Sequence, residues 1–332
     1  MNSFREDLTA LRLPDVSCLS GASVLVTGAT GLVGSAFVEL LLLRVPDVKV
    51  YAGCRSRDKY DKRFADYLSD GRLRYFHVDV SCPVQSELRF DYMVHAASNA
   101  SPAAYSLDPV GTMKGNMLGV INLLEYGREH GLKRFLYISS GEVYGEGDTG
   151  KWMEEDSGFV DSMDVRSCYP SSKRAAETFC AAYSAQYGIE TCVARLSHCY
   201  GPCYTAADNR VYAQFLRNAR NGEDIVMKSR GEQFRSWIYV ADCAAALLYV
   251  LVKGCDRVAY NVADEASNVS IAKLAETIAS LAGTGVVFEM DTPIKGATNV
   301  KRAVFDTGRL QALGWKTSFD LRTGLQHTIE SI

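Results

Sequence analysis

A tyrosine and a lysine four residues apart, Tyr169 and Lys173, are the residues of this sequence best suited to chemistry. Residues with this spacing share one face of a helix. An ammonium beside a phenol favours the phenolate, so we expect Lys173 to lower the pKa of Tyr169. The upstream Ser140 offers a hydroxyl to the same substrate oxygen. The three side chains predict proton transfer at an alcohol or sugar hydroxyl while hydride leaves its carbon.

A glycine pattern near the start of the chain predicts where the hydride acceptor binds. Gly28, Gly31 and Gly34 follow the apolar run 23–27 and open an apolar helical segment. In that context the first glycine permits a tight turn, the second admits a pyrophosphate, and the third allows close strand–helix packing. The sequence therefore predicts a dinucleotide bound at residues 27–34.

Alternating apolar runs and helical patterns predict the fold class. Strand-like runs separated by helices indicate an α/β fold, a Rossmann-type doubly wound parallel sheet with ligands at one sheet edge. After Pro202 the pattern changes, which predicts a smaller, interleaved C-terminal substrate lobe. We expect an N-terminal extension (1–20), a nucleotide-binding domain (21–202, with later sheet elements from about 236–264) and a substrate lobe (203–332).

Composition and charge exclude several classes of function. The 332 residues are 47% hydrophobic and 23% charged, with a net charge of −3, so neither nucleic acid nor an anionic membrane is expected as a partner. No apolar run reaches the ~18 residues that a membrane span needs, and the start lacks a signal-peptide pattern. The ten cysteines show no zinc spacing, so we expect no metal and free thiols in a reducing cytoplasm.

The end of the second strand leaves the cofactor open between NAD and NADP. NAD sites usually place an acidic residue there, whereas this chain has Arg55 and Arg57. These arginines either meet the 2′-phosphate of NADP or are solvated loop charges. NAD is the expected cofactor and NADP is the alternative. Asp79 and Val80, after the third strand, are expected near the adenine.

Together the motifs resemble the extended short-chain dehydrogenases/reductases, specifically the NAD-dependent nucleotide-sugar epimerase/dehydratase family. The matching segments are Thr27 to Gly34, His95 to Ser98, Asn116 to Leu124, Ser139 to Gly145, Tyr169 to Lys173, Arg195 to Pro202, Arg235 to Asp242 and Leu313 to Trp315. The resemblance implies an enzyme that oxidises a nucleoside-diphosphate sugar to a transient ketone, usually at C4, and then returns the hydride to the same sugar. It also implies a homodimer through paired helices.

The resemblance implies a role for each candidate residue. Tyr169 takes the C4 hydroxyl proton, Lys173 lowers its pKa and holds the nicotinamide ribose, and Ser140 hydrogen-bonds the reacting oxygen. The implied cofactor-binding residues are Gly28, Thr30, Gly31, Leu32, Val33, Gly34, Arg55, Asp79, Val80, Ala96, Ala97, Ser98, Asn116, Ser139, Tyr169 and Lys173. The implied substrate-binding residues are Ser101, His198, Arg210, Arg235 and Arg302.

Two neighbours of Ser140 bear on the fate of the keto sugar. Glu142 stands where members that only epimerise commonly have a small hydroxyl residue, and a glutamate there resembles 4,6-dehydratases and uronate decarboxylases. Such a carboxylate can take the acidified C5 proton. Gly141 departs from the dehydratases, which carry an acidic residue there to protonate the leaving C6 hydroxyl. The first hypothesis is therefore decarboxylation or dehydration.

Alternatives stay open. Plain 4-epimerisation requires Glu142 to be structural, and a keto-sugar reductase that consumes NADPH would use Arg55 and Arg57. A cofactor-binding protein without catalysis is opposed by the intact tyrosine, lysine and serine. His198 replaces the asparagine common in the family and is a phosphate ligand, an extra acid/base or a structural residue; Cys199 and Cys203 flank the same loop.

Overall fold

The computed structural model describes residues 3–147, 149–205, 208–290 and 301–332. Its strands, numbered along the chain, are β1 (Ser23–Thr27), β2 (Lys49–Cys54), β3 (Leu73–His77), β4 (Tyr92–His95), β5 (Arg134–Ser140), β6 (Glu190–Leu196), β7 (His198–Tyr200), β8 (Ile225–Met227), β9 (Phe234–Tyr239), β10 (Val258–Val262), β11 (Asp264–Ser270), β12 (Val286–Phe288) and β13 (Arg302–Ala303). Seven of these strands form one parallel sheet in the order β10-β6-β5-β4-β1-β2-β3. The predicted doubly wound parallel sheet is confirmed.

The strand order reverses between β1 and β4. From β1 the chain moves outward to β2 and β3, and then crosses to β4 on the other side of β1. The loops that follow β1 and β4 therefore diverge and leave a crevice at the carboxyl ends of these strands. Ligands of open α/β sheets bind at such a reversal.

Helices cover both faces of this sheet. They are α1 (Ser3–Ala10), α2 (Leu32–Arg44), α3 (Arg57–Arg63), α4 (Pro102–Leu107), α5 (Pro109–His130), α6 (Cys168–Tyr187), α7 (Val211–Asn221), α8 (Val240–Lys253), α9 (Ile271–Ala282), α10 (Gly308–Ala312) and α11 (Leu321–Glu330). The pair α5 and α6 packs on one face and the pair α2 and α8 on the other. Within the described ranges, no helix is both long and apolar enough to cross a membrane.

Smaller sheets border the crevice. A single residue, Ser197, separates β7 from β6. Strand β7 pairs with β9, which also pairs with β11 and β13. A separate pair joins β8 and β12. Of the sheet elements expected from about 236–264, β10 joins the large sheet, whereas β9 lies in the smaller one. The chain thus returns to the crevice repeatedly, so distant segments contribute to one site.

The buried carboxylate of Asp242, in the first turn of α8, fastens the C-terminal segment to the core. It accepts hydrogen bonds from the backbone N–H groups of Ser318 (2.8 Å) and Phe319 (3.1 Å). The indole of Trp315 donates to the backbone carbonyl of Asp242 at 3.3 Å. These contacts hold the chain that leads into α11.

We expect Asp242→Ala to lower the free energy of unfolding by about 2–3 kcal/mol, because two partly buried hydrogen bonds to a charged acceptor are lost. Asp61→Ala, which removes an exposed ion pair with Arg57 on α3, is the matched control and should cost below about 1 kcal/mol. Urea unfolding measures both variants. Equal losses in the two would show that Asp242 does not anchor the C-terminal segment.

Candidate active site

The glycine turn between β1 and α2 forms a tight cradle against the loop after β4. Gly28 has a φ of +67°, and a Cβ there would lie 2.7 Å from backbone atoms of Ala96 and Ala97. A Cβ on Gly34 would lie 2.3 Å from the carbonyl oxygen of Gly28. Helix α2 begins at Leu32, so its N-terminus opens on the same cradle. This geometry fits the diphosphate of a dinucleotide, which binds backbone N–H groups at a helix N-terminus.

The ends of β2 and β3 lie at the far side of this cradle. Arg57 is engaged: its Nε donates to Asp61 at 2.8 Å, and its guanidinium lies over the rings of Tyr60 and Tyr75. Hydrogen bonds from Ser81 lower the pKa of Asp79, and the charge of Arg55 adds to this effect. Arg57 is therefore partly neutralised, and an anionic Asp79 stands nearby. This arrangement suits ribose hydroxyls better than a 2′-phosphate.

Tyr169 is the centre of the candidate catalytic group. It lies in the first turn of α6, 4% exposed, with its phenol within hydrogen-bonding reach of the hydroxyls of Ser140 and Ser98. The ring of Tyr105 stacks on its ring at a centroid distance of 5.1 Å. The structure thus brings the predicted tyrosine and serine together where β4 and β5 end.

The pKa of Tyr169 differs from the expectation. Burial and the nearby Glu142 carboxylate raise it, whereas Ser140 and Arg210 lower it by smaller amounts. Lys173 does not reverse this shift: its Nζ lies 5.8 Å from the Tyr169 ring centroid and donates to the backbone carbonyl of Ile138 at 2.8 Å. Burial also lowers the pKa of Lys173 to about 7, which leaves less positive charge beside the phenol.

Hydrogen bonds fix the neighbours of this pair. Ser98 donates to Asn116 at 2.7 Å, and Asn116 donates to Ser172 at 2.9 Å, which ties the loop after β4 to α5 and α6. The hydroxyl of Ser139, a residue also expected at the cofactor, donates to Glu177 at 2.6 Å. Glu177 also pairs with Arg195 at 2.7 Å. Ser139 therefore joins the charge network behind Lys173.

Glu142 follows β5 on a 3-10 turn (Gly141–Tyr144), and its backbone N–H donates to the Ser140 hydroxyl at 3.2 Å. Its Oε1 lies 3.4 Å from the hydroxyl of Tyr105 and 3.7 Å from the guanidinium of Arg166. The side chain is 37% exposed within a concave cleft. Enclosure by the cleft raises the pKa of Glu142, while Arg166, Tyr105 and Arg235 oppose the rise. A carboxyl group with a raised pKa can carry a proton nearer to neutral pH.

The space beside Gly141 is filled by the ring of Phe305. A Cβ on Gly141 would lie 2.3 Å from Cζ of Phe305, so a side chain there would require the buried ring to move. Phe305 is 2% exposed and packs with Val143, Tyr144 and Trp152 in a small apolar cluster. Position 141 therefore presents no acid or hydroxyl to a substrate.

Cationic side chains extend from Glu142 along the cleft. Enclosure, together with the charges of Arg235 and Arg210, lowers the pKa of His198 to about 3, so its imidazole is neutral at pH 7. Burial lowers the pKa of Arg235 to about 10, and that side chain remains a cation. Arg210 makes a two-point contact with Asp208, with its Nε 3.0 Å from Oδ1.

The remaining candidates lie on the rim. Arg302 is exposed, donates to the carbonyl of Gly150 at 2.8 Å and lies over the ring of Phe234. Ser101 precedes α4, and its carbonyl accepts from the N–H of Tyr105. The backbone carbonyl of Val80 accepts from Asn122 of α5 at 2.9 Å.

Three residues at the site are not among those predicted from the sequence: Tyr105, Arg166 and Phe305. Tyr105 and Arg166 stand close in the chain to Ser101 and Tyr169, so a search around those motifs had a signal to find. Phe305 had none, because its contact with Gly141 arises only from the packing of the chain after β13.

Comparison with known proteins places the chain in a family. Residues 24–263 match the family described as the NAD dependent epimerase/dehydratase family. The chain belongs to that family. Its membership confirms the expected enzyme class and NAD as the expected cofactor. The candidate site lies within the matched region, apart from Arg302 and Phe305.

Individual relatives agree with this membership. The chain is 31% identical over 316 residues to UDP-glucuronic acid decarboxylase 5 of Arabidopsis thaliana, which covers 93% of this chain and 88% of the relative. A dTDP-glucose 4,6-dehydratase from Streptomyces venezuelae, solved with NAD bound, is similar with a TM-score of 0.81 and 25% identity over 93% of this chain and 96% of that one. UDP-glucose 4-epimerase from Thermotoga maritima, at 24% identity over 93% and 98% of the two chains, shares the fold with a TM-score of 0.81.

We expect Gly28→Ala to weaken NAD binding about tenfold or more, because a Cβ displaces the loop after β4 from the cradle. Gly131→Ala is the matched control: its φ is +75°, but a Cβ there has nothing within 4 Å. Both variants carry a positive-φ cost of about 1–2 kcal/mol, so only the steric effect differs. Calorimetric titration with NAD measures the affinities. Equal NAD affinity in the two variants would contradict the assigned cradle.

Proposed function

We propose that this enzyme decarboxylates a nucleoside-diphosphate uronic acid through a transient 4-keto sugar. The observation that carries the proposal is the pairing of Glu142 with a side-chain-free Gly141 under Phe305. The similarity to UDP-glucuronic acid decarboxylases over most of the chain supports it and suggests UDP-glucuronate as the substrate.

Dehydration at C6 is disfavoured by this pairing. Loss of a C6 hydroxyl needs a proton donor at the leaving oxygen, and Phe305 occupies the space that a donor at position 141 would need. Loss of a carboxylate as CO2 needs no such donor. A neighbouring ketone suffices to accept the electron pair of the breaking bond.

The residues around Tyr169 perform the proton transfer at C4. NAD, when bound, would supply the acceptor for the C4 hydride, and its positively charged ring would favour ionisation of a nearby phenol. Tyr169 takes the C4 hydroxyl proton and later gives it back. Ser140 and Ser98 hold the same oxygen, and Lys173 binds the nicotinamide ribose. The cradle of Gly28, Thr30, Gly31, Leu32, Val33 and Gly34, with Arg55, Asp79, Val80, Ala96, Ala97 and Asn116, binds the rest of the cofactor.

Glu142 and Arg235 act at the other end of the sugar. The C5–C6 bond breaks, CO2 leaves, and its electron pair forms the enolate of the C4 ketone. Glu142 delivers a proton to C5, for which its raised pKa suits it. Arg235 binds the carboxylate before it leaves. The net reaction consumes one proton and yields a pentose nucleotide and CO2.

The diphosphate of the substrate binds at the cationic end of the cleft. Arg210 and Arg302 supply positive charge there, and Ser101 supplies a hydroxyl at the sugar. His198 is neutral at pH 7, so it acts as an N–H donor rather than as a charged ligand. Residues 203–332 are mostly this substrate lobe. The nucleotide-binding domain covers 21–202 with later sheet elements from about 236–264, and residues 1–20 are an extension.

We further propose a cytoplasmic homodimer with lyase activity. Helices α5 and α6 pack together, and apolar side chains such as Met113, Leu118 and Tyr187 stay exposed along them. A second copy that covers these side chains would remove them from water. All ten cysteines are free, which suits a reducing compartment.

A 4-epimerase is the second candidate. The hydrogen-bonding contacts of Glu142 with Tyr105 and Arg166 allow a purely structural role for this carboxylate. In that case the ketone would return to the alcohol with C4 inverted and the carbon count unchanged. A net reductase that consumes NADPH is not favoured, because a solved structure similar to this chain holds NAD.

We expect the NAD-loaded enzyme to release CO2 from UDP-glucuronate without a lasting change in absorbance at 340 nm. Tyr169→Phe should keep NAD binding and lose turnover by about 10²–10⁴-fold, and Glu142→Gln by about 10²-fold, because each removes a proton-transfer group. Glu87→Gln, on an exposed residue, is the matched control for the glutamate and should retain turnover. Trapped ¹⁴CO2 and chromatography of the nucleotides measure the outcome. A C4 epimer without CO2 would establish the second candidate instead.

A further inference from the structure

The carboxylate of Glu142 is contacted by two residues that come from separate segments of the chain. Tyr105, on α4, approaches with its hydroxyl at 3.4 Å. Arg166, on the 3-10 turn before α6, approaches with its guanidinium at 3.7 Å. Both contacts fall on the same oxygen, Oε1. Arg166 also donates to the Tyr105 hydroxyl at 3.4 Å, so the three side chains form a closed triangle.

The two partners are themselves fixed. Tyr105 is 1% exposed, stacks on Tyr169, and accepts a thiol hydrogen bond from Cys168 at its carbonyl. The backbone N–H of Arg166 donates to the carboxylate of Asp164 at 3.0 Å, and its guanidinium lies 5.9 Å from the Tyr105 ring centroid. The buried, stacked ring of Tyr105 therefore has little freedom, and its face and hydroxyl both contact the Arg166 guanidinium. The triangle is therefore a preformed support rather than a chance surface contact.

We propose that Arg166 is the positioning residue for Glu142: together with the Tyr105 hydroxyl it holds Oε1, so that the other carboxylate oxygen serves the reacting sugar. The proposal rests on the proposed function only for the place of that reaction, C5. The same triangle also couples Glu142 to Tyr169, because the Tyr105 ring stacks on Tyr169 while its hydroxyl holds the carboxylate. The groups that transfer protons at C4 and at C5 are thus held by one support.

Charged and titratable groups face Glu142 from every element packed against it. Arg166 precedes α6, Tyr105 lies on α4 and Arg235 lies on β9, and these three lower its pKa. Cys168 and Tyr169, in the first turn of α6, have pKa values that the Glu142 charge raises in turn. Removal of the Arg166 cation takes away one of the interactions that offset the effect of burial on the pKa of Glu142. The pKa of Glu142 must then rise, and the proton must be lost at higher pH than in the native enzyme.

The direct test is a ¹³C NMR titration of the Glu142 carboxyl in NAD-bound enzyme labelled at glutamate Cδ and assigned by its loss in Glu142→Gln. We expect Arg166→Met to raise the pKa of Glu142 by about one unit, as loss of a close opposite charge does. Arg166→Lys, which keeps the charge but not the planar fork, should give a smaller rise. Arg72→Met, which removes an ion pair with Asp70 at the start of β3, is the control and should leave the pKa unchanged.

The second readout is turnover of UDP-glucuronate across pH. Arg166→Met should lower kcat by about tenfold or more and keep KM within about threefold. In the pH profile of kcat, the limb that is lost in Glu142→Gln should move to higher pH in Arg166→Met. An unchanged Glu142 pKa in Arg166→Met overturns the proposal, whatever the activity. Because the titration needs no turnover, it decides on Arg166 even where no uronate is decarboxylated and the proposed function fails.

Discussion

The buried amino group of Lys173 constrains the elements around the site. It lies beneath the end of β5, 2.8 Å from the carbonyl of Ile138, and Glu177 stands on the same helix one turn further on. A buried polar group without such a partner would cost about 1–3 kcal/mol. Helix α6 is therefore held in one register against β5, because a shift would remove the lysine from its acceptor and Glu177 from Ser139 and Arg195. That register places Tyr169 beside Ser140.

The residues that select a reaction lie on segments that follow or pack against this core. Glu142 continues β5 by a short turn, so its position follows from the same strand that carries Ser140. Phe305 reaches Gly141 from the far end of the chain, and Tyr105 and Arg166 reach Glu142 from two connecting segments. Redox at a sugar hydroxyl thus depends on the sheet and α6, whereas the later fate of the ketone depends on side chains that can change without disturbing either.

Local patterns in the sequence were sufficient for the parts of the site that local geometry determines. The spacing of Tyr169 and Lys173 predicts one helix face, and the glycines of the first turn predict a cradle, since both follow from backbone geometry over a few residues. The strand β7 and its pairing with β9 were not predicted, because such short strands depend on partners remote in the chain. The same holds for Phe305. The pKa of Tyr169 was misjudged because burial, a tertiary property, outweighs a lysine that is itself buried.

The proposed function depends on one step, in which C5 is protonated by Glu142 after a 4-keto uronate loses CO2. The most direct measurement is NMR of the product formed from UDP-glucuronate by the NAD-loaded enzyme in D2O. A decarboxylase that protonates C5 from an exchangeable carboxyl group must give a pentose nucleotide with a single deuteron at C5. A six-carbon product inverted at C4, without deuterium at C5, would contradict the account.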